Sequence, residues 1–274
     1  MTIAKADFIE GMAKGLAVLE SFDTERQRLN ATLAAQRAGI TRAAARRHLL
    51  TLTHLGYLES DGSHYWLAPK VLRFSGSYLA SARLPRVLQP TLNRLAAQTQ
   101  ESFSAVVLDR DQVVIVARSG NEWRPAPASG SGGGASGLVR VLAYGLHLGA
   151  RLPAHATSTG RVLLAAKSRH EFAAWMKDTL AGGRSLARLT AHTTVEPKKL
   201  RAAVEQARAD DFSIAREEHE LGVLALAVPL RSMQGRTEAA LNVVVSPQRH
   251  DGAGLRRDFL PLLLEAAREV QPLL

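Results

Sequence analysis

Six arginines, Arg26, Arg28, Arg37, Arg42, Arg46 and Arg47, fall between Arg26 and Leu58 with no acidic residue among them. A guanidinium can bond guanine O6 and N7 bidentately or neutralise a phosphate, so this run suits nucleic acid. On composition alone a solvated basic face is an equal reading. The second chemical cluster is Ala156-Thr157-Ser158-Thr159-Gly160-Arg161, small hydroxyl residues leading into a helical pattern. Hydroxyls and backbone N–H groups at a helix start can hold a carboxylate, and the bland alternative is an ordinary N-cap. Arg161 either binds an anion or pairs with Glu218 or Glu220. His155 and Ser158 are a conceivable base and nucleophile, but three-residue spacing says nothing of mutual geometry. His219 beside Glu217, Glu218 and Glu220 looks like a metal set only on paper, since alternate strand residues alone share a face. Gly130-Ser131-Gly132-Gly133-Gly134 lacks the closing Gly-Lys-Ser/Thr of a phosphate loop and reads as a mobile, exposed segment reaching Gly137. No catalytic residue, metal ligand or cofactor site follows from these patterns.

The elements that would position these groups can be read from periodicity. Ile9, Met12, Leu16 and Leu19 recur at helical spacing within 8–22. Thr32 can cap a short helix over 33–38 that ends at Gly39, and Thr41 caps a second. In the second helix Ala45, Leu49 and Leu52 lie within about 60° of one another, opposite Ala43, Arg46, Arg47 and Leu50. Strand, turn and strand follow over 57–67, with Ser63, His64 and Tyr65 at the tip. The order is that of a winged helix–turn–helix. Helical patterns over 69–82 and 84–99 read as a connector outside either core. A hairpin spans 103–117, helices cover 160–166, 197–209 and 259–274, and apolar runs at 223–230 and 239–245 suit buried strands.

Composition narrows the class. With 46% hydrophobic and 22% charged residues the 274-residue chain is globular, and its length suits two domains. Zero cysteines exclude disulfides, thiolate zinc sites and iron–sulfur clusters. The net charge of +10 suits a polyanionic partner without specifying one. No apolar run of about 18 residues and no signal-like start are present, so a cytoplasmic protein with no membrane partner is expected.

The segments FIEGMAKGLAVLESF, ITRAAARRHLLTLTHLGYL, RLPAHATSTGRVLLA, EEHELGVLALAVPLR and AALNVVVSP, in that order, resemble the IclR family of bacterial transcriptional regulators. The first two are most similar to the branch governing β-ketoadipate-pathway genes, the protocatechuate and 4-hydroxybenzoate regulators. The resemblance implies an α+β protein: a winged helix–turn–helix over 1–68, a linker and dimerisation helix over 69–83, and a GAF-like effector domain with an antiparallel sheet over 84–274. It implies a double-stranded DNA operator, a small organic acid effector, no enzyme activity, and a homodimer that can assemble further into a homotetramer. DNA contacts are then expected from Thr32, Thr41, Arg42, Ala43, Arg46, Arg47, Ser63 and His64. Effector contacts are expected from Thr157, Ser158, Thr159, Gly160, Arg161, Glu220, Ala225, Asn242 and Val244, with Val223 and Leu226 adding apolar wall. The chain departs from the family pattern at Ala215 and Arg216, where an acidic residue often stands, and at Ala225 and Val244, where polar residues are usual. A less polar pocket follows, which favours a ring-bearing acid; the resemblance implies an aromatic or dicarboxylic acid of aromatic catabolism, that is, an aromatic acid or a β-ketoadipate-pathway metabolite. The rival classes are an enzyme acting on small aromatic acids with an accessory DNA-binding module, and an effector-independent structural DNA-binding protein.

Overall fold

A computed structural model describes residues 3–23, 26–119 and 146–274, and the chain packs as two compact units, Met1–Ser81 and Ala82–Leu274. The glycine-rich 130–137 segment lies outside the described residues.

In the first unit the order is α1 (Glu10–Leu19), α2 (Ala31–Ala38), α3 (Arg42–His54), β1 (Leu58–Ser60), β2 (Tyr65–Leu67) and α4 (Leu72–Ser81). Val18, Leu29, Ala34, Leu49, Leu58 and Tyr65 form its core. The turn between α2 and α3 is set by Gly39, whose φ of 66° closes α2 in the left-handed region that glycine enters without cost. Thr41 then caps α3 by accepting from the Ala44 N–H at 3.3 Å. The cap of α2 is Asn30 rather than Thr32: its Oδ1 accepts from the Thr32 and Leu33 N–H groups at 3.1 and 3.0 Å. A bridge between Leu29 and Tyr65 holds the chain extended just before it, so the helix starts at Ala31, two residues earlier than the threonine suggests. Of the apolar stripe on α1 only Leu19 packs against the core. Ile9, Met12 and Leu16 are 64%, 64% and 54% exposed, and Leu72, Phe74 and Tyr78 of α4 are exposed as well.

The second unit is a six-stranded antiparallel sheet in the order β5-β4-β3-β8-β7-β6. Its strands are β3 (Ser102–Asp109), β4 (Gln112–Arg118), β5 (Arg151–Pro153), β6 (Ser213–Arg216), β7 (Leu224–Arg231) and β8 (Thr237–Val245). Helices α5 (Arg83–Thr99), α9 (Gly252–Asp258) and α10 (Leu260–Val270) cover one face, while α6 (Ser158–Ala165), α7 (Arg169–Thr179) and α8 (Pro197–Asp210) cover the other. The connector reading of 84–99 is therefore wrong: Leu88, Leu92, Leu95 and Ala96 of α5 are buried against the sheet. Period-2 alternation sorts the strands between the two layers. On β7, Leu224, Leu226, Val228 and Leu230 enter the α5 side, and the small Ala225 and Ala227 face α6. Leu226 thus lies in the opposite core and forms no pocket wall. Small residues on the α6 side leave room beneath that helix. Among the described residues no helix is long and apolar enough to cross a membrane.

Candidate functional site

The first unit presents α3 with Ala45, Leu49 and Leu52 buried and Arg42, Ala43, Arg46 and Arg47 exposed. None of these three arginines forms an ion pair among the described residues. Two other members of the basic run are engaged. Arg37 pairs with Asp23, and Arg28 lies 4.2 Å above the Trp66 ring and 3.7 Å from Asp61. The free charge is therefore concentrated on the outward side of α3, the placement a helix entering a major groove requires. Thr32 is exposed on the first turn of α2, and Thr41 spends one lone pair on its cap.

The β1–β2 tip is ordered by one carboxylate. Asp61 Oδ1 accepts from the His64 N–H at 2.8 Å, the Ser63 N–H at 3.0 Å and the Ser63 hydroxyl at 3.0 Å. These bonds, His64 first, hold the Asp61 carboxyl down to about 2. Ser63 stays exposed and His64 half-buried at the tip, while Tyr65 turns into the core.

The second unit contains a cavity between the sheet and the start of α6, enclosing about 640 Å³ of atom-free space that is partly open to solvent. Val106, Ile115, Leu146, Leu152, Val223 and Val244 supply apolar wall. Ala156, Ala215 and Ala225 keep the walls low. The polar groups are Ser104 and Asn242 on β3 and β8, Thr157, Ser158 and Thr159 at the start of α6, and Glu218, His219 and Glu220 on the loop after β6.

Two groups on the α6 side offer donors. Thr157 Oγ1 accepts from the Gly160 N–H at 3.0 Å, and the Thr157 carbonyl accepts from the Arg161 N–H at 3.2 Å. This leaves the first two helical amides, Ser158 and Thr159, for water or a ligand. Ser104, which faces Asn242 across the β3–β8 ladder, donates its hydroxyl to Asn242 Oδ1 at 2.6 Å. With its oxygen committed, Asn242 has its amide N–H groups to offer. Burial keeps His219 uncharged by lowering its pKa, and the same cause acts on His155, whose Nε2 lies 3.0 Å from the Ala187 carbonyl.

Two expected contacts are displaced. Gly160 spends its N–H on the cap and does not border the cavity, and a Cβ there would sit 2.0 Å from the Ala154 carbonyl oxygen. Arg161 is buried beneath the cavity, where Nη2 pairs with Glu218 Oε2 at 2.5 Å and contacts the His155 carbonyl at 3.4 Å. Sequence reasoning missed Ser104, Ala215, Glu218 and His219 as lining groups. Strand parity opposite Asn242 would have found Ser104, whereas the loop residues carry no local signal. No group of histidines and carboxylates able to hold a metal occurs among the described residues.

Residues 11–62 match the IclR helix-turn-helix domain, and residues 138–271 match the C-terminal domain of the bacterial transcriptional regulator IclR. The Pca operon regulatory protein of Acinetobacter baylyi is 45% identical over 272 residues, covering 99% of this chain and 91% of that protein. The chain belongs to the IclR family. It is a bacterial transcriptional regulator of α+β architecture with an N-terminal helix–turn–helix. A second IclR-family relative, the p-hydroxybenzoate hydroxylase transcriptional activator of Acinetobacter baylyi, is 46% identical and covers 99% of this chain and 94% of its own. Among solved structures, the inducer-binding domain of the Acinetobacter transcription factor PobR, a double mutant in complex with 3-hydroxybenzoic acid, is 39% identical with a TM-score of 0.58. It covers 69% of this chain and 98% of that one.

Proposed function

We propose that this regulator binds an aromatic carboxylic acid in the cavity of its second unit and an operator with two-fold symmetry through α3 of its first. The observation that carries the effector assignment is the pairing of apolar walls with unspent donors at the start of α6 and on β8. A buried carboxylate needs donors already aimed at it, because burying it unpaired costs more than binding returns. The Ser158 and Thr159 amides at a helix start, the Ser158 hydroxyl and the Asn242 amide meet that need. Val106, Ile115, Val223 and Val244 suit a ring better than a small keto acid. The ligand held by the double mutant of the PobR inducer-binding domain, 3-hydroxybenzoic acid, is of the same class. Gly160 and Arg161 serve this site from beneath it, as packing and as the partner of Glu218.

For the first unit, Arg42, Arg46 and Arg47 read base edges or phosphates, Ala43 allows close approach, and Ser63 and His64 touch the backbone from the wing. Thr32 and Thr41 flank the same surface. The exposed stripes Ile9, Met12, Leu16 and Leu72, Phe74, Tyr78 support a homodimer that buries them. Dimeric helix–turn–helix proteins require half-sites about one helical turn, or a multiple of it, apart. Effector control requires that the acid bind two arrangements of the assembly unequally, since equal binding shifts nothing. Residues 1–68 are then the reading head, 69–83 the linker and 84–274 the sensing part.

Calorimetric titration with 4-hydroxybenzoate, protocatechuate, β-ketoadipate and pyruvate tests the effector assignment. The aromatic acids should bind, and Ser158→Ala and Asn242→Ala should each weaken them by about tenfold, the cost of a hydrogen bond to a charged group. Preference for pyruvate, or unchanged affinity in both variants, overturns the assignment. Footprinting that shows one asymmetric half-site overturns the symmetric operator.

A further inference from the structure

A cavity that takes a carboxylate carries two of its own, Glu220 and the more deeply anchored Glu218. Glu218 is 92% buried, being 8% exposed, and borders the cavity. One of its oxygens is fully used: Oε2 accepts from Arg161 Nη2 at 2.5 Å and from the Thr194 N–H at 3.0 Å. The backbone at the same residue is pinned as well, with the Thr193 hydroxyl donating to the Glu218 carbonyl at 2.6 Å. The side chain is thereby fixed in position and in sense. Oε1 has no partner among the described residues, and a carboxylate oxygen can only accept.

An ionised acid group finds no donor in Oε1 and is drawn instead to the donors at the start of α6 and at Asn242. The part of the ligand that reaches the loop after β6 then meets Glu218, and only a hydrogen-bond donor can do so without leaving Oε1 unpaired against a ring. Burial lowers the pKa of neighbouring His219 and so disfavours its cation beside the acceptor. We infer that Glu218 is a specificity-determining residue: its Oε1 accepts the ring hydroxyl of a hydroxylated aromatic acid whose carboxylate lies at the Ser158–Asn242 end. This rests on the aromatic-acid reading above and adds the direction in which the ligand lies and the substituent it must carry. A site built to bond a substrate hydroxyl rejects the analogue lacking it, because the buried polar group is left unpaired.

The experiment is titration of the full-length protein with benzoate, 3-hydroxybenzoate, 4-hydroxybenzoate and 4-methoxybenzoate, in the wild type and in Glu218→Gln. In the wild type the better of the two hydroxybenzoates should bind at least about tenfold tighter than benzoate and 4-methoxybenzoate. In the variant the amide oxygen must stay with Arg161 and Thr194, which turns the NH₂ group to the cavity and replaces an acceptor with a donor. The hydroxyl preference should then fall to within about threefold. Equal binding of benzoate and both hydroxybenzoates by the wild type overturns the inference, and this arm stands even where the variant fails to fold. A variant that loses melting temperature but keeps the wild-type preference also overturns it, leaving Glu218 as a support for Arg161. Failure of every acid to bind refutes the aromatic-acid reading itself, and the inference falls with it.

Discussion

Gly160→Ala isolates the packing on which the cavity depends. A Cβ built at Gly160 would lie 2.0 Å from the Ala154 carbonyl oxygen and 2.5 and 2.6 Å from its Cα and carbonyl carbon. All three are backbone atoms, so no side chain can rotate away and the first turn of α6 must move off the 3₁₀ turn Ala154–Ala156. Two terms oppose each other. Alanine in a helix gains about 1 kcal/mol over glycine, and overpacking against backbone costs about 1–3 kcal/mol or more. With the contact so short the second wins, for a net loss of about 1–2 kcal/mol. For a unit of this size that lowers the melting temperature by about 2–8 °C. The same displacement carries the Ser158 and Thr159 amides away from the cavity, so aromatic acid affinity should fall in parallel. Gly11→Ala is the control, since Gly11 lies in α1 with nothing within 4 Å of the added carbon, and it should stabilise by about 0.5–1 kcal/mol. Differential scanning calorimetry and titration on both variants decide the matter. Gly160→Ala with wild-type melting temperature and affinity would refute the packing argument.

Arg47→Ala should cost about 1–3 kcal/mol on the operator and relax the preference at one base pair, whereas Arg37→Ala, whose guanidinium is engaged by Asp23, should leave the salt slope of binding unchanged. Equal losses on operator and random DNA for Arg47→Ala would contradict a base-reading role. Asp61 has its folded pKa depressed to about 2 by bonds from the His64 and Ser63 amides, so the wing's ordering is present above the unfolded value of about 4 and lost as pH falls through about 2. Amide chemical shifts of Ser63 and His64 that stay constant through that window would refute the assignment. His155 and His219 are depressed below 6.5 chiefly by burial, so the unfolded chain takes up protons first and stability is lost as pH falls below that value. Melting temperature should decline from about pH 7 towards pH 5, and less steeply in His155→Gln; an undiminished slope in that variant argues against this origin.

The signals that could be read from the sequence were those acting within a few residues. Gly39 and Thr41 mark the turn and the start of α3 by backbone conformation and capping alone, and the buried stripe of α3 follows from its spacing. The same rules fail where a distant partner decides. Asn30 and Thr32 are both good caps, and the choice falls to Asn30 because the Leu29–Tyr65 bridge, formed with a strand over thirty residues on, holds the chain extended there. Periodicity marks an apolar face on α1 and another on α5 without saying what covers each. The structure buries the α5 stripe against the sheet and leaves Ile9, Met12 and Leu16 exposed.

The effector site divides along the same line. Asn242, Val244 and Ala225 share a face because β7 and β8 alternate, and that parity already excludes Leu226, which a search for apolar wall by proximity in sequence had included. Which carboxylate meets Arg161 is a different kind of question. Alternation presumes a strand, and 217–222 is a turn: Glu217 has a φ of 53°, and its own Oε1 accepts from the Gly222 N–H at 2.8 Å. That local bond curls the loop, and the hydroxyls of Thr190 and Thr193 take the Glu217 and Glu218 carbonyls from a segment more than twenty residues earlier. Glu218 is thereby directed onto Arg161 while Glu220 is left along the cavity wall. Three glutamates within four positions thus acquire different tasks: Glu217 shapes a turn, Glu218 pairs with a buried arginine at the cavity edge, and Glu220 borders the cavity alone. The difference among them arises from contacts made across the fold, none of which is encoded in their spacing.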